Sequence, residues 1–165
     1  MSRETACAFT GHRPDKFKFG YDFDSPLCYE IRDRIHSAIE YEILNGITHF
    51  ITGMALGVDM WAAAEVLTLR REYPQITLEA AIPCPSQADK WSKHMRTEYQ
   101  SILERCDKKT VISPVYMPGV MQMRNRYMVD NSSVLIAVYN GTSGGTQNTI
   151  AYALSKDLRV VEISC

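Results

Sequence analysis

Short apolar runs alternate with segments of helical periodicity along this chain, and no other feature of the sequence restricts its fold more. Apolar residues recur every three or four positions between Ser25 and Gly46, which predicts a helix with Pro26 in its first turn. Four further helices are predicted, at 58–73, about 87–106, about 121–129 and about 146–156. Strands are predicted at 6–9, 49–52, 76–82, 111–112, 134–139 and 160–163.

This order of five strand–helix pairs and a last strand predicts an α/β fold: a mostly parallel sheet with helices on both faces. No internal repeat, low-complexity stretch or long linker divides the chain, so we expect residues 1–165 to form a single Rossmann-like domain. In such sheets ligands bind at the carboxyl ends of the strands, where the strand order reverses. The residues that follow each strand are therefore the candidates for a functional site.

Positive and negative charges nearly balance in this chain. It has 18 Lys and Arg residues against 19 Asp and Glu residues, a formal net charge of −1, and no run of like charges. A protein that coats nucleic acid usually carries a clear positive excess, so nucleic acid is not the expected partner. The balance is still compatible with a small basic pocket for one anion.

The sequence predicts neither a membrane span nor a secretory signal. The longest unbroken apolar run, 134–139, is far shorter than the ~20 residues that cross a bilayer. The N-terminal residues lack the apolar region of about 7–15 residues that a signal peptide needs. Five widely spaced cysteines without a CxxC pair are typical of a reduced chain with buried thiols. We therefore expect a cytoplasmic protein with no membrane partner.

Two loops near the start of the chain carry candidate phosphate ligands. The first strand runs into Gly11, which permits a sharp turn or a close approach to a ligand. Arg13 could then hold a phosphate through two hydrogen bonds, and His12 could donate to it or act as an acid or base. An ordinary turn with a surface Arg and His is equally compatible with these residues.

The loop after the second strand opens a helix between Gly53 and Gly57, and a helix N-terminus is a natural phosphate cradle. Asp59, in the first helical turn, either caps the helix or binds a ribose hydroxyl, and capping is slightly favoured. The loop contains neither a GK[ST] ending nor a GxGxxG motif, and the second strand has no terminal acid. A conventional hydride-transfer enzyme is therefore not predicted.

The strongest local signal follows the fifth strand. There the glycine-rich turn at 141–145 joins an apolar strand to a helix start, so that backbone N–H groups, hydroxyls and the helix dipole can converge on one phosphate. The alternative is a flexible turn. The candidate ligands in this turn are Ser143, Gly144, Gly145 and Thr146.

Other candidates carry weaker signals. Trp91 either stacks on a base or belongs to the core. Arg124 and Arg126 stand two residues apart, so they point to different sides of a helix. Either one faces a ligand and the other faces solvent or Asp130, or the pair belongs to a solvated helix face. Cys84 follows the third strand, and we expect a structural thiol there. The two His/Glu pairs at i, i+4 spacing suggest no third ligand, so neither a metal nor a resident cofactor is predicted.

Taken together, these segments resemble the YpsA-like family of the SLOG superfamily of Rossmann-like domains. The resemblance spans nearly the whole chain, with the motifs in the family's order. It implies a nucleotide or nucleotide-derived ligand, either NAD- or ADP-ribose-like or a nucleoside phosphate, at the strand ends, and a homo-oligomer, as in related domains. The motifs are TGHRP at 10–14, Gly53 with GVDMWAA at 57–63, Gln87 with Trp91, RNR at 124–126 and SGGT at 143–146.

The superfamily also includes the lonely-guy phosphoribohydrolases. The resemblance therefore implies an alternative function for this chain, a nucleotide hydrolase that cleaves an N-glycosidic bond. Arg124 would then hold phosphate, and Asp59 would be the acid/base or the stabilising carboxylate. The chain departs from those enzymes at two places: Asn125 replaces the lysine of their Arg-Lys pair, and Thr149 stands where their catalytic glutamate would be. A binding or sensing protein is therefore the leading hypothesis, and DprA-like binding of single-stranded DNA is the third.

Overall fold

Residues 2–165 are described by a computed structural model with six strands and five α-helices. Strands and helices alternate in the order that the sequence predicts. The strands are β1 (Ala6–Gly11), β2 (His49–Thr52), β3 (Thr77–Ile82), β4 (Lys108–Val111), β5 (Val134–Tyr139) and β6 (Arg159–Ser164). The helices are α1 (Pro26–Leu44), α2 (Val58–Leu69), α3 (Lys93–Arg105), α4 (Val120–Asp130) and α5 (Gly145–Ser155).

The six strands form one sheet in the order β4-β3-β2-β1-β5-β6, and every neighbouring pair is parallel. The predicted α/β fold with a parallel sheet is thus confirmed. The strand order steps outward from β1 to β4 on one side and from β5 to β6 on the other, so it reverses between β1 and β5. Their carboxyl ends flank the crevice in which such sheets bind ligands.

Helices cover both faces of the sheet, so the central strands β1, β2, β3 and β5 are almost entirely buried. Helices α1, α2 and α3 pack on one face, where Phe9 and Phe50 stack with ring centroids 6.0 Å apart and Ile35 is fully buried. Helices α4 and α5 pack on the other face, where Met128 covers Leu135. The face of α4 that meets the sheet therefore decides which of its polar side chains point toward the strand ends.

Two elements begin at least three residues away from their predicted starts, and α2 ends at Leu69 rather than at 73. Strand β4 lies at Lys108–Val111 rather than 111–112, and it pairs with β3 at the edge of the sheet. Because β4 contains two exposed lysines, it lacks the apolar pattern that predicts a strand, although exposed lysines are common on edge strands. Helix α3 begins at Lys93 rather than near Gln87, because Ser92 caps it by accepting a hydrogen bond from Met95 N at 3.3 Å.

A buried polar cluster joins α4 to three strands. Glu79, only 2% exposed on β3, accepts hydrogen bonds from Thr110 Oγ1 at 2.7 Å and from the Tyr127 hydroxyl, and His49 Nε2 lies 2.7 Å from its Oε1. Burial alone would raise the pKa of Glu79, but these hydrogen bonds and the Lys108 charge together lower it to about 2. The cluster therefore contains a carboxylate that holds α4 against the sheet.

Candidate functional site

A cavity of about 270 Å³ lies where the strand order reverses, at the carboxyl ends of β1 and β5. Gly11 at the end of β1 pairs with Val138 of β5, so the loops after the two strands face each other. Most of the residues that the sequence predicts for a site line this one cavity. Its lining is Phe9, Thr10, Gly11, His12, Arg13, Asp15, Lys16, Ala55, Asp59, Arg124, Asn125, Ser143, Gly144, Gly145 and Thr146.

Glycine is required where β1 approaches the start of α2. A Cβ atom on Gly11 would lie 2.5 Å from the Val58 side chain, which is closer than side chains pack. Gly57 has φ +92° and lies beside the His12 carbonyl, a conformation that favours glycine. These two glycines bring the first turn of α2, and with it Asp59, to the wall of the cavity.

Arg124 is the most buried charged side chain at the site, with 3% of its surface exposed. Its Nη1 donates to the Gly53 carbonyl at 2.6 Å, and its Nε donates to Asn125 Oδ1 at 2.8 Å. A Cβ atom on Gly53 would lie 2.8 Å from Asp59 Oδ2 and 2.9 Å from Arg124 Cζ. Gly53 thus makes room for a carboxylate and a guanidinium to lie side by side, rather than lining the cavity itself.

Asp59 does not cap α2, because no side chain accepts a hydrogen bond at that N-terminus and Gly57 is the N-cap. Its Oδ2 instead accepts from Ala55 N at 3.3 Å. Burial raises the pKa of Asp59, although the Arg124 charge, the Ala55 hydrogen bond and Arg13 oppose the increase. Burial likewise lowers the pKa of Arg124, and Asp59 opposes that change. The pair is a desolvated carboxyl group and a desolvated cation on one wall.

The N-terminus of α5 forms the opposite wall. Its N-cap, Gly144, has φ +145° and offers no side chain to the first turn. The backbone N–H groups of that turn thus lack a side-chain partner, and they add to the positive end of the helix dipole. Ser143, Gly144 and Gly145 are exposed, whereas Thr146 is buried. This arrangement is suited to an anion.

His12 is held by the loop after β5 and does not stand free in the cavity. Its Nε2 lies 2.8 Å from Asn140 Oδ1 and 3.2 Å from Asn140 N. Thr142 donates to the same Asn140 oxygen from its backbone N and from Oγ1. Asn140 therefore links the two loops, a role that a single asparagine after a strand does not reveal in sequence.

Besides Gly53, three predicted residues lie outside the lining of this cavity. Gly57 lines a neighbouring groove between α2 and α3. Trp91 packs edge-on against Tyr99, with ring centroids 5.3 Å apart, and is partly buried against the core. Arg126 lies over the Tyr152 ring, in a cavity between α4 and α5. Conversely, Lys16 lines the cavity although it is not among the predicted site residues; it stands in the same loop as Arg13.

In the first His/Glu pair at i, i+4 spacing, each side chain has another partner, and Glu40 accepts from the Tyr73 hydroxyl at 2.9 Å. His36 pairs with Glu65 at 2.8 Å rather than with the residue four positions later. Within residues 2–165, no group of three or more His, Cys, Asp or Glu side chains could hold a metal ion. All five cysteines are free: three are buried, as predicted, but Cys165 is exposed. In the same part of the chain, no helix combines the length and apolarity that a membrane crossing requires.

Comparison with known proteins matches residues 7–160 to a family model, YpsA, which is described as the YspA SLOG family. An uncharacterized SPbeta prophage-derived protein, YoqJ of Bacillus subtilis (strain 168), is 33% identical over 142 residues, which cover 78% of this chain and 83% of that protein. A UPF0398 protein of Bacillus cereus (strain B4264) is 28% identical over 152 residues, which cover 90% of this chain and 82% of that protein.

Two solved structures share the fold. One is DNA processing protein A from Helicobacter pylori, in a study of its single-stranded DNA binding mode, with a TM-score of 0.65 and 18% identity. The other is DNA processing protein A (DprA) from Streptococcus pneumoniae, with a TM-score of 0.63 and 15% identity. The matches cover 95% of this chain but only 64% and 49% of those chains. This likeness supports the Rossmann-like architecture.

Proposed function

Because this chain belongs to the YspA SLOG family, we propose that it binds a nucleotide or nucleotide-derived ligand at the β1–β5 cavity and acts as a binding or sensing protein. The observation that carries this proposal is the convergence of an uncapped helix N-terminus with three cations on one cavity. The cations are Arg13, Lys16 and Arg124. They outnumber the two carboxyl groups of the same lining, Asp15 and Asp59, so a phosphate group would meet a local positive excess in a chain whose total charge is only −1.

The size of the cavity suggests which part of a ligand it would hold. Drug-sized ligands usually occupy about 300–1,000 Å³. A cavity of about 270 Å³ is slightly smaller than that range, which fits a phosphate with its sugar better than a whole dinucleotide. The rest of a larger ligand would extend beyond this cavity.

The position of Thr149 favours binding over catalysis. It stands where the resemblance to the lonely-guy enzymes would place a glutamate, and it is buried with its Oγ1 donating to the Gly145 carbonyl at 2.9 Å. A threonine in that position cannot stabilise the positive charge that develops during N-glycosidic cleavage.

Replacing Arg13 by alanine is expected to weaken phosphate-ligand binding by about 10-fold, since an exposed guanidinium contributes one charge-assisted contact. Calorimetric titration with ribose 5-phosphate, AMP, ADP-ribose and NAD measures the effect. Lys18→Ala is the matched control, because Lys18 is an exposed cation of the same segment outside the cavity lining; it should bind as the parent chain does. The absence of any binding at millimolar concentration would refute the proposal, and tight, salt-sensitive binding of oligo(dT) alone would favour single-stranded DNA instead.

Hydrolysis of a nucleotide is the second candidate, and the buried Asp59 is the observation that favours it. Burial raises the pKa of Asp59, so the group keeps its proton to a higher pH than an ordinary carboxyl group and could act as a general acid. Release of free base from AMP, followed by chromatography, would then decline as the pH rises through that raised pKa. Asp59→Asn should lower the rate at least ~100-fold, whereas Asp15→Asn, in the same lining, should not.

We also propose a cytoplasmic location and a homo-oligomeric state. Five free cysteines fit a reducing compartment. Val115, Tyr116, Met117 and Met123 are exposed apolar side chains around the start of α4, and such groups often mark a protein–protein contact.

A further inference from the structure

A second cavity, of about 390 Å³, lies between α4 and α5 and adjoins the β1–β5 cavity. The two cavities share Asn125 and Gly145 in their linings. A ligand bound at the N-terminus of α5 therefore has a direct continuation between the two helices. We call this second space the interhelical cavity, and its lining is Gln122, Asn125, Arg126, Gly145, Asn148, Thr149, Ala151 and Tyr152.

Three amide side chains line the interhelical cavity: Gln122, Asn125 and Asn148. An amide offers both donors and acceptors, which is the combination that the hydrogen-bonding edge of a nucleobase requires. Asn125 Oδ1 is occupied by the Arg124 Nε hydrogen bond. Its NH₂ group remains able to donate. The hydrogen bond from Arg124 therefore orients Asn125, while its NH₂ group can donate to a ligand in the interhelical cavity.

The far wall of the interhelical cavity is aromatic. The Tyr152 hydroxyl donates to Asp130 Oδ1 at 2.8 Å, which holds the ring in place. The guanidinium carbon of Arg126 lies 5.5 Å from the centroid of that ring. A tyrosine ring and a guanidinium plane are the two side-chain surfaces on which bases commonly stack.

The dimensions also fit a nucleoside phosphate. Tyr152 lies seven positions after Gly145, the residue at the junction of the cavities, which corresponds to about 10 Å along the helix. This distance accommodates a sugar and a planar base beyond a phosphate at the N-terminus of α5. In this arrangement the phosphate meets Arg13 and Arg124, and the base meets the amides.

From this geometry we propose that the ligand is a nucleoside 5′-phosphate whose base enters the interhelical cavity and is selected by Gln122, Asn125 and Asn148. This inference rests on the proposed function, because it assigns the phosphate to the β1–β5 cavity. It adds a base-recognition site and attributes base selectivity to the interhelical cavity rather than to Trp91, which packs against Tyr99.

The test compares ligands with and without a base. Calorimetric titration of ribose 5-phosphate, AMP, GMP, CMP and UMP should show at least one nucleotide binding ~10-fold or more tighter than ribose 5-phosphate. Asn148→Ala should remove most of that gain and leave ribose 5-phosphate unchanged. Gln147→Ala is the matched control, an exposed amide on the same helix outside the cavity lining, and it should keep the full gain.

A second variant fills the space. Ala151 is exposed and lines the interhelical cavity, so Ala151→Trp should bind nucleotides only as tightly as ribose 5-phosphate. If ribose 5-phosphate binds but no nucleotide binds tighter, or if both variants keep the nucleotide preference, the base lies elsewhere and only this inference fails. If neither ribose 5-phosphate nor any nucleotide binds, the proposed function fails as well.

Discussion

Arg124→Ala is expected to lower the affinity for AMP at the β1–β5 cavity by ~30-fold or more. Its guanidinium is 3% exposed and surrounded by protein rather than water, so its charge acts on a ligand through little screening. Truncating a buried, hydrogen-bonded charge at a binding site costs about 2–5 kcal/mol, and each 1.4 kcal/mol is a factor of 10 in affinity. Calorimetric titration under conditions where circular dichroism shows a folded variant measures this loss.

The same substitution should lower the free energy of unfolding by about 2–3 kcal/mol, measured by urea denaturation. The Gly53 carbonyl would lose its donor at 2.6 Å, and Asn125 Oδ1 would lose its donor at 2.8 Å. Asp59 would lose the cation that most strongly opposes the burial-driven increase in its pKa. A buried acceptor left without a donor costs about 1–3 kcal/mol.

Two further variants separate the role of Arg124 in binding from its role in the fold. Arg124→Lys keeps a positive charge but cannot reproduce the geometry of the guanidinium, so its stability and its affinity should both fall between those of the parent and of Arg124→Ala. Arg96→Ala removes an exposed arginine of α3 that is not part of the cavity lining, and should change neither quantity. Wild-type AMP affinity in a folded Arg124→Ala protein would mean that Arg124 supports the fold alone.

The sheet could be predicted from the sequence because its central strands are buried on both sides. A strand such as β5, with five of its six residues buried, must be an almost continuous apolar run. Strand β4 lies at the edge, where Lys108 and Lys109 are exposed, so its pattern resembles a loop. The error at β4 thus follows from its position in the sheet, which the local sequence does not contain.

The sequence predicts only the part of the candidate site that is formed by glycines and other residues directly after the strands. Gly11, Gly144 and Gly145 follow strands directly, and the parallel order brings them together. Lys16, which lines the cavity, and Asn140, which holds His12, belong to the loops after β1 and β5. Their positions depend on how these loops fold, which the local sequence does not show. The helix predicted at about 87–106 would include Trp91, but α3 begins after it.

Helical geometry predicts that Arg124 and Arg126 face different sides of α4, but not which of them faces the site. Two residues along a helix correspond to about 200° of rotation, so the sequence predicts that they face opposite sides. Arg124 is buried, and Arg126 is exposed over Tyr152 rather than paired with Asp130. Which of the two points toward the strand ends depends on the packing of α4 through Met128 and on Tyr127, and neither contact is visible in the local pattern.

The buried Glu79 carboxylate, which holds α4 against the sheet, is the basis of the second prediction, a large effect on stability. Glu79→Gln should lower the free energy of unfolding at pH 7 by about 3 kcal/mol, because a pKa of about 2 in the fold against 4.5 in the unfolded chain corresponds to that stabilisation. The amide keeps the shape and can still accept from Thr110 and Tyr127, so the variant removes the charge rather than the packing. Chemical denaturation of both proteins at pH 7 measures the difference.

The pH dependence identifies Glu79 as the cause. Since its pKa is lower in the folded protein, its contribution is complete above the unfolded value of 4.5 and is lost as the pH falls toward about 2. The stability difference between the parent and Glu79→Gln should therefore shrink steadily over that interval. Glu98→Gln, which alters an exposed carboxylate on α3, should match the parent throughout. A Glu79→Gln difference that stays constant from pH 6 to pH 3 would show that the loss arises from altered packing beneath α4, and not from a carboxylate held in its charged form.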